Sequence, residues 1–129
     1  MASGFPSVTG DVLTSTMFNG LVTFTANAQT AATYTAVLTD QYQVLVTMNN
    51  ASANAFKIPT NASVAFSTGT AITVLNIGAG TCTISATSSG TTTILSAGAT
   101  AASPTLAQYK SAVCIKTGTD AWYVVGAVA

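Results

Sequence analysis

The chain has 129 residues, and only six of them are charged, three lysines and three aspartates, so the formal net charge is zero. An average globular domain carries charge on about a quarter of its residues. Because histidine, arginine and glutamate are absent, the side chains that most often perform acid–base catalysis or bind a catalytic zinc ion are missing. The composition argues against an enzyme and against a metal or cofactor site, and three lysines provide no basic face for nucleic acid.

The length and hydropathy of the chain indicate one domain that belongs to an assembly. The mean hydropathy is positive, at +0.53, yet the sequence has no run of about 18 apolar residues that would span a membrane. The opening MASGFPS lacks the charged and apolar regions of a secretory signal, so we expect the protein to be made in a cytoplasm. Since soluble monomers usually keep their net charge away from zero, the neutral chain predicts a surface covered by other subunits.

The first 30 residues are predicted to form an arm with one short helix. The segment ASGFPSVTG is rich in turn residues and too short to fold alone, so it needs a neighbouring protein to lie on. Thr14 or Ser15 is a suitable N-cap for a helix through STMFNGLV. We therefore expect residues 1–30 to be a docking segment and residues 31–129 to be a β-sandwich domain. The side chains expected to dock are Phe5, Pro6, Met17, Phe18 and Leu21.

From residue 31 onward, short β-rich runs alternate with turn signals. QVLVTM and the following FKI are predicted to be two strands that form a hairpin around NNASAN. AITVLNI and TCTISA follow as strands, with a hairpin turn at the intervening GAG. TTTIL, LAQYKSAVCIK and AWYVVGAV are the later strands. Strands at about ten-residue spacing predict an antiparallel, jelly-roll-like β-sandwich.

The stretch KTGTDAWYVVG is predicted to be the closing hairpin of the sheet. Gly118 suits the turn, and Lys116 and Asp120 flank it in positions that allow an ion pair across it. The tryptophan and the tyrosine after it have two interpretations. Either Trp122 fills the core while Tyr123 stands at an interface or rim, or the aromatic side chains form a platform for sugar rings. In the second interpretation the sugar would contact Tyr42, Tyr109 and Tyr123.

The two cysteines, Cys82 and Cys114, are expected to be reduced, because cytoplasmic cysteines are most often small buried apolar residues. Cys82 shares an inward strand face with Ile84. Cys114 shares a face with Lys116, which leaves its place in the core open. We expect no disulfide between the two cysteines.

Two stretches resemble proteins of bacteriophage particles. MASGFPSVTGDVLTSTMFNGLVTF is similar to the opening of small phage structural proteins, in which Gly-Asp-Val-Leu-Thr leads into a short helix with an asparagine near its middle. From Tyr34 to Gly126, the succession YTAVLTD, NNASANAFKIP, SVAFSTGTAITVLNIGAGTCTI and IKTGTDAWYVVG resembles a domain of phage tail-fibre, head-fibre and capsid-associated proteins. Together the two stretches cover nearly the whole chain.

The resemblance implies a virion structural protein, made in the host cytoplasm, whose β-sandwich domain forms a homotrimer on the virion surface. It supplies no catalytic residues. A short arm with one domain, and no shaft or tip, favours a capsid decoration protein whose residues 1–30 bind the major capsid protein on the outside of the head. The alternative is a tail-fibre or spike module that joins tail proteins and binds host surface glycan through Tyr42, Tyr109 or Tyr123. Neither reading involves a membrane or nucleic acid.

Overall fold

In the computed structural model, which describes residues 14–15, 26–41 and 45–129, the chain consists mostly of short β-strands. The strands coincide with runs in which apolar and threonine side chains alternate, a pattern that suits a half-buried pleated surface. One short 3-10 helix, Leu38–Gln41, joins the second strand to the third. The strands within the described residues are β1 (Ala26–Gln29), β2 (Thr33–Thr35), β3 (Leu45–Met48), β4 (Asn54–Ile58), β5 (Ala71–Asn76), β6 (Cys82–Ala86), β7 (Thr93–Ser96), β8 (Thr105–Leu106), β9 (Lys110–Gly118) and β10 (Ala121–Gly126). The prediction of a β-rich fold is confirmed.

The strands form two mixed sheets, and the chain crosses from one to the other after nearly every strand. The six-stranded sheet has the order β1-β3-β5-β9-β10-β7, and the four-stranded sheet has the order β2-β4-β6-β8. The pairs β1–β3 and β3–β5 are parallel, as are β2–β4 and β4–β6. The strands from β1 to β6 therefore make three stacked coils, each with one strand in either sheet.

The prediction of antiparallel pairing throughout is wrong for the stacked coils. β3 and β4 belong to different sheets, so the hairpin expected around NNASAN is absent, and the same is true of β5 and β6 on either side of GAG. Alternating side chains show which residues point inward, but the same pattern serves a strand that pairs sideways and a strand that crosses to the facing sheet. Antiparallel pairs occur where β9 joins β5 and β10 and where β8 joins β6. The predicted closing hairpin, β9–β10, is confirmed.

The turns that join the two sheets stack directly on one another. The backbone of the turn after β1 accepts hydrogen bonds from the turn after β3, with Asn49 N donating to Gln29 O at 2.9 Å and Asn50 Nδ2 donating to Thr30 O at 3.0 Å. In the next coil, Gly80 N donates to Asn50 O at 2.9 Å. A Cβ added to Gly80 would lie 1.9 Å from the carbonyl oxygen of Ser52. The GAG glycines thus permit the close approach of two coils.

Both sheets contribute to one hydrophobic core. Trp122 is 2% exposed and packs edge-on against Phe66, with ring centroids 5.6 Å apart, so its predicted place in the core is confirmed. The remaining core side chains are Ala36, Val46, Met48, Phe56, Ile58, Ile72, Val74, Cys82, Ile84, Ile94, Leu106, Ala112, Cys114 and Val124. Because the inward residues of the two sheets fill one core, the opposite side of each sheet faces away from it.

Candidate association surface

The outward side of the six-stranded sheet carries a continuous apolar face next to its β7 edge. The strand register places Tyr123 between Leu95 and Ile115, and it places Val125 beside Val113. We call the five side chains the apolar face; they are Leu95, Val113, Ile115, Tyr123 and Val125. Leu95, Tyr123 and Val125 are 44–48% exposed, and the other two are half-buried. A cluster of exposed apolar side chains without charge is typical of a surface that contacts another protein.

A cavity of about 260 Å³ opens at this edge of the sheet. Its lining includes Leu95, Ala97, Val125 and Val128, together with the ring of Tyr123. Among the described residues, the lining contains no carboxylate, amide or charged side chain, and its side-chain polar groups are the hydroxyls of Ser96 and Tyr123. Sugars are held by such polar groups in addition to aromatic rings, so the cavity suits an apolar side chain of a partner protein better than a glycan.

The tyrosines of the alternative interpretation, a sugar platform, are not gathered at one place in the described residues. Tyr109 precedes β9 and is 76% exposed, whereas Tyr123 pairs with Ile115, six positions further along that strand. Six residues of extended chain span about 20 Å. Tyr42 lies outside the described residues. The two tyrosines whose places are known therefore belong to separate surfaces, and only Tyr123 is part of the apolar face.

The residues predicted to dock onto a partner also lie outside the part of the chain that the structure describes. These residues are Phe5, Pro6, Met17, Phe18 and Leu21. The predicted helix through residues 15–22 lies outside it as well, except for Ser15. The docking role of this segment remains a prediction from the sequence.

Lys116, which is buried, and Asp120, which is half-buried, form a polar cluster with a third residue, Asn61, that the sequence did not single out. Lys116 is 3% exposed, and its Nζ donates to Asn61 Oδ1 at 2.5 Å and to Phe66 O at 2.7 Å. Asp120 Oδ1 accepts the Asn61 backbone N–H at 2.7 Å and the Thr92 hydroxyl at 3.0 Å. The expected ion pair across the turn is not among the contacts of the described residues. Both side chains instead hold the loop that follows β4.

A second buried polar cluster joins the first coil to the 3-10 helix. Asp40 is 2% exposed, and its carboxylate accepts hydrogen bonds from Asn27 Nδ2 at 3.0 Å, Tyr34 Oη at 2.6 Å and Val37 N at 2.9 Å. Burial and the adjacent Asp40 carboxylate raise the pKa of Tyr34 to about 12. The cluster has three different donors on one acid, and within the described residues no group of three metal-ligating side chains occurs. Its contacts are those of a structural junction.

The two cysteines are free and buried. Burial raises the pKa of Cys82 to about 11 and that of Cys114 to about 12, where the nearby Cys82 adds to the effect. Since the thiolate is the reactive form, thiols with such pKa values are poor nucleophiles at neutral pH. The position of Cys114, left open by the sequence, is settled: it shares the inward side of β9 with Lys116, and both are buried.

Comparison of the chain with known protein families, with curated proteins and with solved structures found no match. In the described part of the chain, no helix has the length and hydrophobicity needed to cross a membrane. The surfaces and side-chain clusters of the described residues are therefore the structural evidence on function.

Proposed function

We propose that this protein is a structural subunit of a bacteriophage virion, specifically a capsid decoration protein that binds the outer surface of the assembled head and reinforces it. The observation that carries the proposal is the apolar face, which is solvent-exposed and uncharged in a chain with a net charge of zero. Burial of such a face against a partner protein removes apolar surface from water, which lowers the free energy of the system. The order of the phage-like motifs supports the assignment to a virion.

In this proposal the two sheets form a sandwich that assembles into a homotrimer through the apolar face. Aromatic and aliphatic side chains with few charges form the centre of a typical protein interface, and Tyr123 with Leu95 and Val125 has this composition. The part of the predicted docking segment 1–30 that precedes β1 then binds the major capsid protein, since β1 itself pairs with β3. A protein that binds only the assembled shell stabilises that shell by mass action, so no catalytic group is required.

The trimer part of the proposal predicts that Val125→Lys weakens self-association. Val125 is 48% exposed, so lysine fits the isolated subunit, but its charge would be buried in the interface. We expect the association constant to fall about thirtyfold, since an unpaired buried charge costs about 2 kcal/mol or more. Sedimentation velocity over a concentration series measures the change.

Ser89→Lys, in an exposed turn, adds the same charge elsewhere and should leave association unchanged. A monomeric wild-type protein, or equal association of all three proteins, would refute this part.

The capsid part predicts that deletion of residues 2–25 abolishes binding to the head while the rest still folds. The deletion leaves β1 and all later strands intact. Co-sedimentation with purified capsids measures binding, and circular dichroism tests the fold. Undiminished binding by the folded truncated protein would contradict the docking role of the arm.

The alternative, a tail-fibre or spike module that binds glycan, is favoured by one observation. Tyr109 is the most exposed tyrosine of the described residues and has a positive φ of 65°, a conformation that is uncommon for a non-glycine residue and is often found at binding sites. Quantitative mass spectrometry of virions separates the two functions. A copy number comparable with that of the major capsid protein supports decoration, whereas a few copies per particle support the tail.

A further inference from the structure

The shortest polar contact of the Lys116 cluster brings an amine against a side-chain amide. Lys116 Nζ lies 2.5 Å from Asn61 Oδ1. Because a carbonyl bond is about 1.2 Å long, Nζ lies no further than about 3.7 Å from the amide carbon Cγ. Reacting atoms held at about 3–3.5 Å are close to the geometry of attack. The fold thus holds a nucleophile beside an electrophilic carbon.

Lys116 lies in a buried place beside neutral groups. The side chain is 3% exposed, and its two hydrogen-bond acceptors, Asn61 Oδ1 and Phe66 O, are both neutral. The adjoining core contains the Phe66–Trp122 ring pair. The contact between Lys116 Nζ and Asn61 is thus made in a buried place, away from bulk water.

Asn61 is held in place independently of Lys116. Its backbone N–H donates to Asp120 Oδ1 at 2.7 Å, and the same oxygen accepts the Thr92 hydroxyl at 3.0 Å. Asp120 has a positive φ of 52°, at the turn between β9 and β10. Since Lys116 also lies at the end of β9, one hairpin carries both the amine and the group that fixes the amide. Asp120 is a positioning residue in this arrangement.

We propose that Lys116 and Asn61 are joined by an intramolecular isopeptide bond that forms after the chain has folded. A bond forms between Lys116 Nζ and Asn61 Cγ, and the bond between Asn61 Cγ and Nδ2 breaks. Two protons pass from the Lys116 ammonium group to the leaving nitrogen, so that the ammonium form of lysine and the amide yield the new amide and one ammonium ion. No oxidant, reductant or co-reactant is needed. The product is uncharged and links the loop after β4 to β9, 55 positions further along the chain.

The test is mass spectrometry of the purified full-length protein before and after digestion with trypsin. Loss of ammonia lowers the intact mass by about 17 Da relative to the sequence. Lys116 becomes resistant to trypsin, so residues 58–110 and 111–129 are recovered as one branched peptide. The peptide bond after Lys57 serves as the internal control and should be cleaved normally. Lys57 Nζ donates to the Ser85 hydroxyl at 2.8 Å, which offers no amide carbon to attack.

Two variants distinguish the isopeptide bond from cyclisation of Asn61 onto its own backbone, which also releases ammonia. Lys116→Met and Asn61→Ala should both show the full mass expected from their sequences. If the loss of about 17 Da persists in Lys116→Met, cyclisation is its cause and the proposal is wrong. Full intact mass of the wild-type protein, with cleavage after Lys116, would also overturn it. These readouts on the wild-type chain do not depend on whether either variant folds.

Discussion

Replacement of Gly80 with alanine is expected to lower the free energy of unfolding by about 3 kcal/mol, at the upper end of the usual cost of overpacking. The new Cβ would lie 1.9 Å from Ser52 O and 2.9 Å from Asn50 O. Both are backbone atoms of the neighbouring coil, so no side-chain rotation relieves the contact. The coils have to separate, which also disrupts the hydrogen bond from Gly80 N to Asn50 O. Urea denaturation followed by Trp122 fluorescence measures the loss.

Gly90 provides the matched control for this substitution. A Cβ at Gly90 meets no atom within 4 Å, so Gly90→Ala should change the free energy of unfolding by less than about 0.5 kcal/mol. The comparison separates the close approach of the coils from the general effect of replacing glycine on the unfolded chain. Equal stability of the two variants would show that the turns of the second and third coils do not pack as described.

Most of the later strands could be located from the sequence, but β1 lies in the segment predicted to be an arm, β2 was not predicted, and LAQYKSAVCIK, predicted as one strand, divides between β8 and β9 of different sheets. The pairing of the strands could not be predicted either. The apolar runs AITVLNI and AWYVVGAV mark β5 and β10 closely, because strands that fill a core are rich in apolar side chains whatever the neighbouring strand is. Pairing depends on whether a turn leads back beside the same strand or across to the other sheet. The segment GAG is compatible with a hairpin and with a crossing to the other sheet. Its close contact with Asn50 and Ser52, which is seen only in the structure, shows that it belongs to a crossing turn.

The candidate site shows the same division between local and long-range information. The core position of Trp122 follows from the pattern of β10, which makes the outward direction of Tyr123 predictable too. The partner of Lys116 does not follow, because Asn61 lies 55 positions away and has no neighbouring signal that links it to β9. The role of Asp40 could not be predicted either, because its partners lie in different sheets. Tyr34 belongs to β2 of the four-stranded sheet, and Asn27 belongs to β1 of the six-stranded sheet.

Substitution in the Asp40 cluster is expected to have the second large effect on stability, because one buried carboxylate accepts hydrogen bonds from three parts of the chain. Asn27 belongs to β1, Tyr34 to β2, and Val37 precedes the 3-10 helix. Among the described strands, the first coil pairs on one side, through β1 with β3 and β2 with β4. The cluster therefore joins the two strands of the coil that has the fewest strand contacts.

Asp40→Ala is expected to lower the free energy of unfolding by about 3 kcal/mol, since it removes the acceptor of three part-buried hydrogen bonds, and a hydrogen bond to a charged group contributes about 1.5–3 kcal/mol. Tyr34→Phe removes only one donor and keeps the carboxylate bonded to Asn27 and Val37, so we expect a loss of about 1 kcal/mol. Urea denaturation at neutral pH compares the two variants. Equal losses would mean that the Tyr34 hydroxyl alone accounts for the contribution of the cluster.

The ionisation of Tyr34 gives a second readout of the same cluster. Its pKa is about 12 in the folded protein, against an ordinary value of 10.0. A raised folded pKa means that the contribution to stability is fully present below pH 10 and is lost as the pH rises towards 12. Asp40→Ala removes a neighbouring negative charge and a hydrogen-bond acceptor, so the pKa of Tyr34 should fall, although burial still keeps it above the ordinary value. Ultraviolet titration of the tyrosines, with Tyr34→Phe to identify the Tyr34 component, measures this change. An unaltered pKa in Asp40→Ala would show that burial alone holds the phenol neutral.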